Sequence, residues 1–426
     1  NTLEATPGAA NKFAGIPDVI AWPGSNEVRT FDTTSTFLED SSGLDFANGK
    51  LYAVDNGTAT FWVMDVAKDG SLTFVNGFEQ GKRVCFQKDA NISSAKGPDA
   101  EGITVDGNGM VYLASERDNS NKGVNYDTIL MVDPNANGTR LVAQQEWDLT
   151  ASLPQVSANM GIEAVEWVAN ANVAGKLIDQ NTGGAFDATQ YPNAVAGGVF
   201  FVALEDNGHV YAYVLNSDGS VEQIADVDSK LGGAMSLDYD TYEDALWVAA
   251  DDGYGNHMAK ITLNGTTEPG IVHVLPASGV NASANNEGFA IASAEYIVNG
   301  QRPVYRFCDG VTSAALTIGS LDCSDTAPVD PNPGEPTDPS NPPVDPKPGD
   351  PAGEPTQPGG TVDKPSGSTD TPSGSSQDKP VSADKSSTLP QTGDSNMLGA
   401  WVALAVLFAG ASCVVLVMIR RAKRVR

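Results

Sequence analysis

The most constraining feature of this chain is a strand–turn–strand pattern that recurs five times within residues 35–310. The first copy has Ser42–Phe46 as one apolar segment, Asn48-Gly49 as the turn and Leu51–Asp55 as the second segment. Asn-Gly and Asp-Gly pairs favour two-residue hairpin turns because both residues tolerate a positive φ. The chain is therefore expected to fold as a series of short β-hairpins.

The other four copies have the same layout. Their first segments begin at Glu101, Glu163, Met235 and Glu287. Several hairpins are followed by a third strand, and repeats of about 50 residues with three or four strands are typical of a β-propeller. We predict an all-β propeller of five or six blades, in which the segment 18–22 adds a strand to the last blade and closes the ring. A pair of β-sandwich domains is the alternative fold.

The repeat places acidic residues together. In a propeller the first strand of each blade lines the central channel and the second runs back beside it. Glu101, Glu163 and Glu287 should therefore form a ring at the channel mouth with Ser42 and Met235. Four further carboxylates end the second strands at the same face: Asp55, Glu116, Glu205 and Asp251.

Like charges at this density are costly unless a cation or protons compensate them. A hard cation with oxygen ligands, Ca²⁺ outside a cell, would satisfy the ring, and we predict these seven carboxylates as its ligands. Two alternatives stay open. Each carboxylate could cap its own hairpin through backbone N–H groups, or the group could bind an organic cation or act as general acid and base.

The C-terminus has a different organisation. Leu389, Pro390, Gln391, Thr392 and Gly393 precede an uncharged stretch, Met397–Ile419, and a cluster of Arg and Lys. As a helix this stretch would span roughly 34 Å, enough to cross a hydrocarbon core of about 30 Å. The basic cluster resists translocation, so the C-terminus is expected in the cytoplasm and everything before Asn396 outside.

This order of motif, apolar span and basic end resembles the cell-wall sorting signal of Gram-positive surface proteins. The resemblance implies that a sortase cleaves between Thr392 and Gly393 and that a peptidoglycan precursor is then joined covalently to Thr392. It implies a location in the cell wall, facing outward, after a transient membrane anchor. A simple single-pass anchor is the alternative. Because the chain begins at Asn1, we interpret it as a mature or trimmed form of an exported protein.

Amino-acid composition divides the chain into three segments. Residues 326–388 are rich in Pro, Gly, Ser, Thr and Asp and contain no aromatic residue, which predicts a disordered, extended, wall-spanning linker. Residues 1–325 form the predicted head, and residues 389–426 the sorting signal. The net charge is −29 and lies mostly in the head, so nucleic acid is disfavoured as a partner.

The head motifs Ser42–Phe46, Asp99–Val105, Gly161–Val168 and Asn286–Ala292 resemble the SdiA-regulated family and the related esterase-like-phytase domain. The resemblance implies the propeller fold. The acidic DxDDPA-type pattern of true propeller phytases is absent, which argues against phosphate hydrolysis.

We therefore predict a surface protein that displays a cation-binding interaction module to an unidentified surface ligand. A metal-dependent extracellular hydrolase acting on a phosphoester, ester or lactone is the alternative. Residues 169–198 form the longest insertion in the repeats and are the candidate binding loop, whose removal should leave the fold intact.

Three cysteines, Cys85, Cys308 and Cys323, would face the outside. Cys308 and Cys323 enclose a short loop and are the candidate disulfide, worth about 3 kcal/mol in the loop-entropy model. Pairing of Cys85 with one of them is the alternative.

Overall fold

The computed structural model describes residues 19–323, and within them the chain forms a five-bladed β-propeller. The sorting signal, the predicted transmembrane helix 397–419 and the linker 326–388 lie outside the described residues. Among the helices in residues 19–323, none has the length and apolar character needed to cross a bilayer.

Each blade has an antiparallel meander that begins with its innermost strand, and blades 1, 4 and 5 each gain an outer strand from elsewhere in the chain, which pairs in parallel in blades 1 and 4. Blade 1 contains Ser41–Ala47, Lys50–Asp55, Thr60–Val66, Leu72–Phe74, Lys82–Cys85 and, from further along the chain, Arg140–Val142. Blade 2 contains Pro98–Val105, Val111–Asp118, Asn125–Val132 and Gln145–Asp148. Blade 3 contains Ile162–Ala169, Gly198–Leu204, His209–Leu215 and Val221–Asp228. Blade 4 contains Ser236–Asp240, Ala245–Ala249, Met258–Thr262, Gly270–Val274 and Val19–Ile20. Blade 5 contains Asn286–Ile291, Gln301–Cys308, Leu316–Asp322 and Arg29–Thr30.

The predicted hairpins are confirmed. Asn48 and Gly49, with φ of 52° and 75°, form the turn between the first two strands of blade 1. A positive φ at both central residues is the geometry that matches strand twist in a two-residue hairpin. The inner strands consequently all run in the same direction. We call the face where they begin the mouth face and the face where they end the far face.

The N-terminal segment closes the ring, but not as predicted. Val19–Ile20 pairs in parallel with Gly270–Val274 of blade 4, and Arg29–Thr30 pairs with Leu316–Asp322 of blade 5. The prediction that residues 18–22 supply the last blade was therefore wrong by one blade. Without the N-terminal segment, the outer strands of blades 4 and 5 would both be unpaired edges, and the segment is long enough to pair with both.

The hydrophobic core consists of five clusters, each between two neighbouring blades. Tyr112 of blade 2 packs against Phe200 of blade 3 with ring centroids 4.7 Å apart. Trp247 of blade 4 packs against Phe289 of blade 5 at 6.0 Å. Since both faces of every blade are covered, the strands are apolar on both faces, which explains their nearly continuous apolar sequence.

The insertion between the first two strands of blade 3 is folded. It contains the helix Asn170–Val173, the small hairpin of Ile178–Asp179 and Gly184–Ala185, and the 3₁₀ turn Ala188–Gln190. Three more 3₁₀ turns lie at Gln87–Asp89, Asp252–Tyr254 and Ala294–Tyr296.

The structure contradicts the prediction that this insertion can be removed with the fold intact. Its side chains Val173, Leu177 and Phe186 are buried in the core cluster between blades 3 and 4. It also joins the end of an inner strand to the start of the next, so it emerges on the far face, away from Glu163. Removing it would expose core, and it is not a loop of the channel mouth.

The predicted disulfide is also contradicted. Cys308 and Cys323 lie at opposite ends of the hairpin formed by the second and third strands of blade 5. The Cys308 amide donates to Ala315, whereas the Cys323 amide donates to Gly300. Eight strand residues separate Cys308 from Gly300, roughly 25 Å, far beyond disulfide reach. The three cysteines of the described chain, Cys85 included, are free.

Candidate cation-binding site

The mouth face holds a cavity of about 320 Å³, which we call the acidic cavity. Its lining side chains are Asn56, Glu101, Glu116, Arg117, Asn159, Glu163, Glu205, Met235, Asp251, Asn285, Glu287 and Asp309. Six of the seven predicted carboxylates therefore line one space. The convergence follows from the shared direction of the inner strands, because equivalent residues of different blades meet at the same height.

The three ring glutamates occupy the same unusual backbone position. In blade 2 the pairing steps from Ala100–Ser115 to Gly102–Ala114, so Glu101 is an extra residue without a partner across the ladder. Glu163 and Glu287 are the extra residues at the matching positions of blades 3 and 5. Each is thus the bulged residue of a β-bulge, a device that re-aims a side chain at the end of a strand.

Glycine follows two of these bulged residues because the inner strands approach each other closely there. A Cβ at Gly102 would lie 2.6 Å from the Val165 backbone nitrogen of blade 3. A Cβ at Gly288 would lie 2.4 Å from the Ser42 carbonyl oxygen of blade 1. The Glu-Gly pairs in the sequence therefore combine a re-aimed carboxylate with a point of backbone contact between blades.

Blades 1 and 4 have no carboxylate at this level. In blade 1 the Ser42 hydroxyl donates to the Glu101 carbonyl at 2.7 Å and to its Oε2 at 3.1 Å. Asn56 supplies two further contacts to the same carboxylate, with its Nδ2 at 2.9 and 3.1 Å. Blade 4, whose inner strand has regular pairing, contributes Met235.

Asp55 is the predicted ligand that does not reach the cavity. Its Oδ1 accepts hydrogen bonds from the Thr58 amide at 2.9 Å and the Thr58 hydroxyl at 2.7 Å. It therefore caps its own turn, as the alternative interpretation described, and the adjacent Asn56 lines the cavity. Successive side chains of an extended chain point in opposite directions, so Asn56 faces the cavity and Asp55 does not.

Burial and mutual repulsion disfavour the charged forms in the cavity. Burial, followed by the charge of neighbouring carboxylates, raises the pKa of Glu101 and Glu163 well above the usual range. The pKa of Glu287 is raised in the same way, by burial and then by Asp309. Burial raises the pKa of Glu116 to about 7, against the opposing effect of Arg117. Burial also raises the pKa of Glu205, although a hydrogen bond from Glu163 opposes this.

Arg117 is the single basic side chain that lines the acidic cavity within the described part of the chain. Its Nε lies 2.5 Å from Asp99 Oδ2 and its Nη1 lies 3.1 Å from Glu116 Oε1. Both partners are buried, and Arg117 also donates to the Ala158 carbonyl. One guanidinium thus serves two carboxylates and leaves the remaining acidic side chains without a cation.

One group of acidic oxygens in the described chain has the spacing needed to hold a metal. Asp99, Glu101 and Glu116 each offer an oxygen, and these atoms lie within 4.8 Å of one another. On the blade 5 side, Glu287 Oε1 accepts from Asn285 Nδ2 at 2.8 Å, while its Oε2 is buried without a hydrogen-bond partner. The donors are carboxylate and amide oxygens, and no histidine of residues 19–323 lines the cavity, so the set fits a hard cation such as Ca²⁺.

The sequence prediction missed several residues of this site. Asp99 lies two residues before Glu101 in the motif Asp99–Val105. Nothing in that motif predicts the ion pair of Asp99 with Arg117, because Arg117 lies on the second strand of the blade. Asn285 directly precedes the first strand of blade 5, and Asp309 directly follows the second strand, an acidic end signal that the prediction overlooked. Asn159 comes from a loop outside the repeat.

No family model matches the chain, and no curated protein matches it. Among solved structures it is similar to Myxococcus xanthus glutaminyl cyclase, at 11% identity and a TM-score of 0.40, over 72% of this chain and 100% of that chain. It is also similar to a streptogramin B lyase, at 11% identity and a TM-score of 0.33, over 70% of this chain and 88% of that chain. A nidogen/laminin complex matches at 10% identity and a TM-score of 0.33, over 69% of this chain and 92% of that chain. At these values the likeness carries no information about chemistry, and the resemblances seen in the sequence stay predictions.

Proposed function

We propose that this protein is a cell-wall-anchored surface protein whose propeller binds Ca²⁺ in the acidic cavity and presents that face to a ligand outside the cell. The observation that carries the proposal is the convergence of Glu101, Glu163 and Glu287, each bulged from its strand, on one buried space. The repulsion among three carboxylates aimed at one space must be offset by a cation or by protons, and the proposal is that a cation offsets it.

Ca²⁺ is the cation that the donor set favours. It takes six to eight oxygen ligands in flexible geometry, whereas Mg²⁺ demands a near-ideal octahedron of shorter bonds. The cavity supplies carboxylates from four blades and the side-chain amides of Asn56, Asn159 and Asn285. Space of about 320 Å³ also leaves room for water or a ligand group beside the ion.

The first prediction concerns thermal stability. Saturating Ca²⁺ should raise the melting temperature of the purified protein by several degrees relative to a chelator, because an ion at 100 times its Kd stabilises by about 2.7 kcal/mol. The double variant Glu101→Gln, Glu287→Gln should lose this shift. Glu268→Gln, which changes an exposed glutamate in a turn of blade 4, is the matched control and should keep it. A wild-type protein whose melting temperature ignores Ca²⁺ would contradict the proposal.

The second prediction concerns anchoring. The order of LPQTG, apolar span and basic end supports covalent attachment through Thr392. In a Gram-positive host with an active sortase, the wild-type chain should enter the covalent cell-wall fraction and be released by a muramidase. Thr392→Ala should remain in the membrane fraction, whereas Thr388→Ala, one residue before the motif, should behave as wild type. Covalent attachment of the Thr392→Ala protein would rule out this route.

A metal-dependent hydrolase is the second candidate, and one observation favours it. The pKa of Glu116 near 7 and the hydrogen bond between Glu163 and Glu205 give the cavity groups suited to general acid and base chemistry. If the protein is an enzyme, Glu116→Gln should abolish turnover of a phosphoester, ester or lactone while circular dichroism shows an unchanged fold. Lack of turnover by the wild-type protein on all three substrate classes would favour the binding module.

A further inference from the structure

The far end of the central channel holds a second cavity, which we call the far cavity. Its volume is about 180 Å³, and it lies where the inner strands of blades 1 to 4 end, away from the acidic cavity. Its lining combines three acidic side chains with three aromatic ones: Asp45, Asp106, Glu166, Phe46, Trp167 and Tyr239. No Lys, Arg or His of residues 19–323 lines it, so its charged groups are all of one sign.

Asp106 is already satisfied within its own turn. Its Oδ1 accepts from two backbone amides of that turn, both at 2.9 Å, and its Oδ2 accepts from the Tyr112 hydroxyl at 3.2 Å. It therefore caps the hairpin that joins the first two strands of blade 2. The carboxylates with binding capacity left in the far cavity are Asp45 and Glu166.

Asp45 has one oxygen without a partner. The residue is only 4% exposed, and its Oδ2 is buried and accepts no hydrogen bond. Burial raises the pKa of Asp45 to about 7, against the opposing effect of hydrogen bonds with Val105, Thr104 and Phe46. A buried carboxylate oxygen that lacks a donor loses its hydration without compensation. A donor that enters the far cavity would supply what Asp45 lacks.

Glu166 is also under-satisfied. Its Oε1 accepts from the Tyr239 amide at 3.0 Å, but its Oε2 has only the Thr104 hydroxyl, at 3.5 Å. The Thr104 side chain is a hydrogen-bonding neighbour of Asp45 as well, and a hydroxyl has one proton to donate. Burial, followed by the charge of Asp45, raises the pKa of Glu166 well above the usual range. The two carboxylates thus lack both donors and a counter-charge.

A metal ion does not fit this pair. In the described chain, the acidic group with the spacing for a metal lies in the acidic cavity. Asp238, whose pKa is raised by burial and then by the charge of Asp45, does not line the far cavity. Two carboxylates are too few for Ca²⁺, which takes six to eight oxygen ligands. An organic cation needs no such shell, because its charge is carried on donors that bind one acceptor each.

The aromatic lining suits the apolar part of such a cation. The indole ring of Trp167 fits between two glycines: a Cβ at Gly198 would lie 2.1 Å from its Nε1, and one at Gly107 would lie 3.1 Å from its Cη2. The Tyr239 hydroxyl donates to Asp244, which is not part of the lining. Apolar and aromatic walls with a few polar groups are typical of ligand pockets, and aromatic rings attract organic ammonium ions.

We propose that the far cavity binds an alkylammonium group, the protonated amine of a small ligand or of a lysine side chain. The ammonium donates to Asp45 Oδ2 and Glu166 Oε2, and the alkyl part packs against the aromatic side chains. The size is suitable, because a cavity of about 150 Å³ holds a molecule such as benzene. This site lies at the opposite end of the channel from the proposed Ca²⁺ site and takes a different class of cation.

The test is titration calorimetry of the purified full chain with butylammonium chloride, with n-butanol as the uncharged analogue. At pH 8 Asp45 is ionised and an alkylamine is still protonated. The wild-type protein should bind butylammonium saturably and should not bind butanol. Asp45→Asn should bind butylammonium about tenfold more weakly or worse, the loss expected for one charge-assisted hydrogen bond. Asp218→Asn, in an exposed turn, is the matched control and should bind as the wild type does.

Three results would overturn the proposal: no saturable binding of butylammonium by the wild-type protein, equal affinity for butanol, or equal affinity in Asp45→Asn. If Asp45→Asn does not fold by circular dichroism, wild-type crystals soaked in butylammonium decide. Electron density for the ion beside Asp45 supports the site, and an empty far cavity overturns it. Nα-acetyl-lysine amide distinguishes the two sources of the amine, since tighter binding than that of butylammonium assigns the site to a lysine side chain and weaker binding to a free amine.

The two sites are tested independently. The double variant Glu101→Gln, Glu287→Gln should lose the Ca²⁺-dependent shift in melting temperature and still bind butylammonium. Asp45→Asn should keep that shift and lose butylammonium affinity. Loss of butylammonium affinity in the glutamate variant, with its fold unchanged by circular dichroism, would place the amine in the acidic cavity and overturn the far site.

Discussion

A buried ion pair joins blade 5 to the inner strand of blade 4. Arg302 Nη1 and Nη2 lie 2.7 and 2.6 Å from the two oxygens of Asp240, a bidentate geometry. The Arg302 side chain is fully buried, and its Nη1 also donates to the Ala292 carbonyl at 3.3 Å. Asp240 is the last residue of the inner strand Ser236–Asp240, so the pair fixes that end of the strand to blade 5.

Arg302→Met should therefore destabilise the propeller by about 3–5 kcal/mol, because it leaves Asp240 charged, buried and unpaired. The measurement is urea unfolding followed by tryptophan fluorescence. Lys50→Met is the matched control, since it breaks an exposed pair with Asp65 and should cost less than about 1 kcal/mol. Equal losses for the two variants would show that the buried pair has no special role.

At the scale of the element, the β-bulge is what turns an ordinary propeller strand into part of a site. The bulge moves Glu101 out of the ladder, and Gly102 then lets blade 2 touch blade 3 through the backbone. Without the bulge, strict alternation would turn this side chain toward one face of the blade. Site formation and blade packing thus depend on the same two residues.

Gly102→Ala should consequently weaken both the acidic site and the packing of blade 2 against blade 3. Its Cβ would meet backbone atoms of Ala164 and Val165 at 2.6 to 2.8 Å, which cannot move aside as a side chain can. We expect a loss of at least about 1–3 kcal/mol in unfolding free energy and a smaller Ca²⁺-dependent shift in melting temperature. Gly123→Ala, where a Cβ meets nothing within 4 Å, is the control and should be near neutral. A stable Gly102→Ala protein would argue against close contact between these blades.

At the scale of the whole molecule, buried carboxylates set the pH response. Burial raises the pKa of Asp55 and Asp127 to about 6 and that of Glu116 to about 7. Since unfolded carboxyls titrate near pH 4, the folded state binds more protons than the unfolded state between about pH 4 and pH 7. The stability that these protons provide is fully present below about pH 4 and is lost as the pH rises through 6 to 7.

The melting temperature in chelator should therefore fall from pH 5 to pH 8. Added Ca²⁺ should reverse the part of this fall that comes from the carboxylates of the acidic cavity at pH 8, where they are ionised, and have less effect at pH 5, where protons compete for the same oxygens. Differential scanning calorimetry at four combinations of pH and Ca²⁺ measures both effects. A metal-free protein that is more stable at pH 8 than at pH 5 would contradict the expected sign.

The sequence by itself determined the strands, their turns and the order of the blades, because these depend on local signals. Short apolar runs define each strand, and Asn48-Gly49 defines a hairpin without help from distant residues. The shared direction of the inner strands then follows, so Glu101, Glu163 and Glu287 were predicted to meet.

Only the tertiary structure decided how each of these features is completed. Ring closure by residues 19–30 depends on which edge strand is free, and the orientation of Asp55 depends on its capping contact with Thr58. The partners of Arg117 and the unpartnered oxygens of Asp45 and Asp238 involve residues that are near in space and far along the chain. Such contacts leave no periodic trace in the sequence, because they arise when blades pack side by side and not from the conformation of any one strand.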